Sequence, residues 1–220
     1  MGTFIETSGT PVFIDNVRTS FGGVQDGADY YFVRSLAGDE HINIRNSFIA
    51  GAPGSTKHHA VYAPNILKGF VIENNRFLYV NDILNANIGG GQYLVSGNTS
   101  SDTMGPNIVT TGTGRFVYTG NYLDKPPIPT VSSCGAGAVL GTNSVVSHGY
   151  IQVGSTVPTT SCSITSPFVI GGTASCVFQP ANIGIGLIEA HPSGTPATWV
   201  VISQNDMSGG QIFYHCGADR

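Results

Sequence analysis

The sequence predicts an all-β protein in two parts, a stack of short repeated strands followed by a small antiparallel β-sandwich. Three observations carry this. Val, Ile, Thr, Ser, Asn and aromatic residues dominate, with 30 Gly among 220 residues, while strong helix formers such as Glu and Lys are scarce. The first half repeats an alternating motif at a fixed interval, as stacked β units do. The second half is a series of short alternating runs separated by turn residues.

Charge supports a folded chain with a sparsely charged surface. Only 10% of residues are charged, against about 25% in an ordinary soluble domain. The net charge of −4 and the absence of any basic run leave no field for neutralising phosphates, so nucleic acid is not an expected partner. The N-terminal MGTFIETSGT has no basic stretch leading into an apolar core, and no long apolar run follows. Neither a secretory signal nor membrane insertion is expected.

Lys125-Pro126-Pro127-Ile128-Pro129 is too Pro-rich for a helix or central strand and reads as a stiff connector. It divides the chain into a repeat domain, 1–124, a linker, 125–130, and a C-terminal domain, 131–220. Composition changes there: beyond the linker the charged residues are Glu189, Asp206, Asp219 and Arg220, and all four cysteines lie on that side.

The repeats align on Asn. FVIENNRF, YLVSGNTS and FVYTGNYL place apolar residues five and three positions before Asn75, Asn98 and Asn121, which are 23 residues apart. HINIRNSF around Asn46 is an earlier copy 29 residues before Asn75, with its apolar positions shifted by one, and PVFIDNVR around Asn16 is a weaker one. A single such strand cannot bury its apolar face, so copies must stack, and Asn then aligns on Asn as a side-chain ladder. Residues 12–124 resemble the right-handed parallel β-helix of pectate-lyase-like proteins and phage tailspikes. That resemblance implies a short right-handed parallel β-helix.

In the second half YIQVG, CSITS, SCVFQ, IGIGLIEA, TWVVIS and QIFYHC form six or seven strand-like runs. Cys134, Cys162, Cys176 and Cys216 allow three pairings as disulfides or apposed thiols, and no CxxC or His spacing suits a metal. Hairpin geometry, with Ser166-Pro167 and Gly171-Gly172 in the connection, favours Cys162 with Cys176, leaving Cys134 to face Cys216. This half resembles the C-terminal β-sandwich modules of phage tail and other virion surface proteins, through Ser133-Cys134-Gly135, TSCSITSPFVIGGTASCVF, the Trp199 strand and GGQIFYHCG.

No nucleophile or nucleotide motif is present, and no catalytic residue, metal or cofactor is assigned. Glycoside cleavage needs two carboxylates about 5–10 Å apart. Asp26, Asp29, Asp39, Glu40, Glu73, Asp82 and Asp102 are the supply, without a recognisable pair. His58-His59 beside Lys57 reads as an exposed loop. Tyr30, Tyr31, Tyr62, Tyr79, Tyr93 and Tyr122 offer ring faces and hydroxyls for glycan binding or for subunit interfaces. The expectation is a homotrimeric virion protein on the particle exterior: a tailspike, fibre or capsid-decoration subunit that meets other virion proteins and a host surface glycan. A polysaccharide-degrading tailspike is the alternative, and a bacterial adhesin a weaker one.

Overall fold

The computed structural model describes residues 2–21, 28–38, 41–112, 115–141, 148–166, 169–170, 174–181, 183–193 and 198–218. Among them there is no α-helix, only a 3-10 turn at Ile183–Ile185. The chain divides into two compact units, Met1–Pro126 and Pro127–Arg220.

The N-terminal unit contains β1 (Gly2–Thr7), β2 (Val12–Asp15), β3 (Arg18–Ser20), β4 (Tyr30–Ser35), β5 (His41–Arg45), β6 (Phe48–Ala50), β7 (His58–Glu73), β8 (Arg76–Leu78), β9 (Asp82–Ser96), β10 (Thr99–Ser101), β11 (Ile108–Gly112) and β12 (Arg115–Thr119). Pairing within it is parallel throughout. One sheet runs β1-β4-β7-β9-β12, joined by β2, β5 and β11, and a smaller one runs β10-β8-β6-β3.

The 23-residue interval is the pairing register. Tyr93 lies opposite Phe70 on β7 and Phe116 on β12, and Thr99 lies opposite Arg76. The core consequently forms columns of like residues. Ile14, Ile44, Ile72, Val95 and Tyr118 are successive register partners and all are buried. Val33, Val61, Leu84 and Ile108 form a second buried column. Each such side chain contributes on the order of 1.5–3 kcal/mol by leaving water.

The Asn ladder exists, but its membership differs from the sequence alignment. The backbone N–H of Ser47 donates to Asn75 Oδ1 (2.9 Å), that of Asn75 to Asn98 Oδ1 (3.0 Å) and that of Asn98 to Asn121 Oδ1 (3.1 Å). Each amide nitrogen also reaches a carbonyl one copy back: Asn75 to Ile44, Asn98 to Ile72 and Asn121 to Val95. Ser47, not Asn46, holds the ladder position in the earlier copy, and its hydroxyl accepts from Val17 N–H at 3.1 Å.

Asn16 and Asn46 belong one position earlier. They share left-handed backbone with Asn74, Gly97 and Gly120, at φ 54°, 50°, 55°, 63° and 62°. Only Gly, or Asn among common alternatives, fills that conformation readily. Two Asn requirements therefore sit side by side in the motif. The one-residue shift of the apolar positions in the Asn46 copy reflects this offset.

The C-terminal unit contains β13 (Thr130–Ser132), β14 (Val139–Leu140), β15 (His148–Gln152), β16 (Ser161–Thr165), β17 (Val169–Ile170), β18 (Ala174–Pro180), β19 (Ile188–Pro192), β20 (Thr198–Ser203) and β21 (Gln211–Ala218). Two four-stranded antiparallel sheets run β13-β16-β20-β19 and β14-β15-β21-β18. Alternation places Trp199, Val201, Ile212, Tyr214 and Ile151 inside.

The cysteine pairing corrects the expected one. Disulfides join Cys134 to Cys162 and Cys176 to Cys216. The second and third cysteines do not share a hairpin, because β16 and β18 belong to different sheets. Cys162 instead neighbours the end of β13, where Ser132 pairs with Ser163. Cys176 lies directly opposite Cys216. Pro167, Gly171 and Gly172, placed in that connection, lie outside the described residues.

Candidate functional site

The smaller parallel sheet of the N-terminal unit turns one line of side chains outward. Arg18, Phe48, Arg76 and Thr99 are register partners on β3, β6, β8 and β10, and Thr99 bridges onward to Tyr122. Each stands two residues after a left-handed residue of the corner just described. The corner therefore aims the whole line.

Arg18 and Arg76 both lie over the Phe48 ring, at 5.4 and 5.7 Å from its centroid. Since they flank Phe48 in the register, they approach from its two sides. Both guanidiniums are exposed, and neither meets a carboxylate among the described residues. Arg45 pairs with Glu73 at 3.4 Å, and the Asp15 carboxylate accepts from the Asn46 side-chain amide at 2.9 Å. Around the two arginines is an open groove of about 660 Å³, lined also by Asn46, Asn74, Gly97 and Thr99. Tyr122 continues the line with 83% of its surface exposed.

A second polar cluster lies on the larger sheet. Tyr31, His59 and Asp82 are register partners on β4, β7 and β9. His59 Nδ1 is 2.7 Å from Asp82 Oδ2, which also accepts from Asn81 at 3.2 Å. Asp29 receives Lys57 at 3.3 Å and the Tyr31 hydroxyl at 3.5 Å. Burial, followed by the Asp29 charge, raises the Tyr31 pKa. Neighbouring His58 is fully buried against Tyr30 and Phe21, and that burial, with the His59 charge behind it, holds its pKa below the ordinary value. The dipeptide is thus packed into the sheet and is not the exposed loop expected of it.

The tyrosines divide by environment. Tyr31 is buried between His59 and Tyr62, with ring centroids 5.1 and 4.8 Å away. Tyr93 is buried against Phe70, and its hydroxyl donates to the Leu67 carbonyl. Tyr30, Tyr62 and Tyr79 are half-buried, and Tyr79 has a left-handed backbone. Tyr122 is the one of the six that stands in solvent.

Among the carboxylates, Glu73 faces Arg45 and accepts from Ser96 at 3.3 Å, so its strand neighbours supply no second acid. Asp82 and Asp29 have His59 between them, and Asp102 is exposed at a left-handed turn. Asp26, Asp39 and Glu40 lie outside the described residues. No group of three or more His, Cys, Asp or Glu capable of holding a metal occurs among the described residues. Nor is any helix there long and apolar enough to cross a membrane.

Arg18, Phe48 and Arg76 were not singled out in the sequence. Counting two residues on from Asn16, Asn46, Asn74, Gly97 and Gly120 would have found them together with Tyr122. Comparisons with protein-family models, curated proteins and solved structures find no match.

Proposed function

We propose that the chain is a non-enzymatic attachment subunit on the exterior of a phage virion, a tailspike, fibre or capsid-decoration protein that recognises a host surface glycan. In this reading the N-terminal unit winds as a short right-handed parallel β-helix and the C-terminal unit packs as a sandwich. The repeated parallel register and the recurring left-handed corner support the winding.

The observation that carries the recognition role is the outward line Arg18, Phe48, Arg76, Thr99 and Tyr122 beside its groove. Guanidinium, amide, hydroxyl and aromatic groups in one strip are the donors and ring faces that sugars require. A homotrimer accounts for the exposed Phe4 (63%) and Phe13 (77%), large apolar surfaces that association would cover.

Light scattering of the full chain should give three times 22.9 kDa; a stable monomer at micromolar concentration would refute the trimer. Incubation with host envelope polysaccharide should give binding without release of oligosaccharides. Reproducible release, abolished in Glu73→Gln or Asp82→Asn, would replace this reading with a polysaccharide depolymerase.

A further inference from the structure

We propose that the strip from Arg18 to Tyr122 binds a linear acidic polysaccharide bearing carboxylates on alternate sugars, with the polymer lying across the strands rather than along them. This rests on the attachment reading above and specifies its ligand.

Spacing is the first argument. Arg18 and Arg76 are two strand positions apart, with Phe48 between them. Adjacent strands are about 4.8 Å apart, so the guanidinium stems are separated by roughly 10 Å. The ring holds the two cations apart instead of letting them converge, because each engages it from its own side. A single phosphate or sulfate could reach only one. Two acidic groups set a similar distance apart on one polymer would engage both, each by a charge-assisted hydrogen bond.

Charge density is the second argument. A nucleic-acid strand presents a phosphate about every 3.4 Å of helix axis. Such a ligand calls for a dense basic surface, whereas the chain is net negative at −4 and the strip has two cations. The remaining lining is neutral: the amides of Asn46 and Asn74 and the hydroxyl of Thr99. That mixture suits sparse acids among many hydroxyls.

Direction is the third. Phe48 already engages two guanidiniums, so it acts as a spacer and the exposed aromatic platform is Tyr122. Four strand intervals separate Arg18 from Tyr122, a strip of about 20 Å that accommodates several sugars in line.

The test is calorimetry on the full chain with a hyaluronan hexasaccharide, whose carboxylates fall on alternate sugars, and with the same hexasaccharide after reduction of those carboxylates to alcohols. The acid form should bind, and the reduced form should bind at least about tenfold more weakly. Arg18→Gln and Arg76→Gln should each weaken the acid form at least about fivefold and leave the reduced form unchanged. Tyr122→Ala should weaken both forms. All three positions are exposed, so circular dichroism and melting of the variants should match the parent.

No binding of the acid form at millimolar concentration, equal binding of both forms, or undiminished binding by the Arg18→Gln/Arg76→Gln variant would overturn the proposal. A hexasaccharide charged on every sugar that bound more tightly would overturn the spacing. If host envelope polysaccharide still bound in any of these cases, the attachment reading would survive; if nothing bound, both would fall.

Discussion

Replacing Asn98 with Ala tests whether the buried amide ladder stabilises the N-terminal unit. Asn98 is fully buried. Its nitrogen donates to Ile72 O at 2.7 Å and Asn121 Oδ1 at 2.9 Å, while its oxygen accepts from the N–H and the side-chain nitrogen of Asn75 at 3.0 and 3.1 Å. Truncation leaves the Asn75 N–H and the Ile72 carbonyl without these partners, and an orphaned buried polar group costs about 1–3 kcal/mol. A loss of about 3–4 kcal/mol is therefore expected, a large share of the roughly 5–15 kcal/mol that keeps a typical domain folded. Asn46→Gly is the control. Asn46 is exposed and left-handed at φ 50°, so glycine should hold stability within about 0.5 kcal/mol. Urea unfolding followed by far-ultraviolet circular dichroism measures both, with hydrogen exchange over residues 70–101 locating the effect. A loss below about 1 kcal/mol for Asn98→Ala would mean that water satisfies these groups and that the ladder argument is wrong.

Other predictions concern cross-links, pH and the histidine cluster. Non-reducing peptide mapping should recover Cys134 with Cys162 and Cys176 with Cys216, and reduction should destabilise the C-terminal unit, each loop of 28 or 40 residues being worth about 4 kcal/mol in the chain-entropy model. Burial acts to raise the Asp124 pKa, but hydrogen bonds from Ser100, Thr103 and Asn107 outweigh it and hold the pKa below the usual carboxylate value. Its contribution is present above about pH 4 and lost as pH falls through the lowered value, so Asp124→Asn should flatten the acid limb of the stability profile. The His58 pKa is also depressed, so the unfolded state takes up a proton first; stability should decline as pH falls below about 6.5, and His58→Phe should reduce that decline. Asp82→Ala removes the buried partner of His59 and should lower stability by about 2 kcal/mol in the same urea assay.

Legibility in the sequence followed locality. The spacing of 23 residues and the apolar positions before Asn75, Asn98 and Asn121 report strand register and core directly, because copies paired in parallel repeat the same local requirement. Asn46 misled because two neighbouring positions both favour Asn, one for its amide and one for its backbone angle. The cysteines misled for a different reason: pairing depends on which sheet each strand joins, and chain separation does not encode that. The line through Arg18, Phe48 and Arg76 was hidden because its members differ chemically, so it emerges only when the left-handed corner, and not the apolar motif, is the reference point.

The most direct measurement is a crystal structure of the full chain soaked with the hyaluronan hexasaccharide. Sugar density is expected across β3, β6, β8 and β10, with carboxylates on Arg18 and Arg76 and a ring against Tyr122. A strip left bare while sugar occupies another surface, or strands that do not stack Arg18, Phe48 and Arg76 in one line, would contradict it.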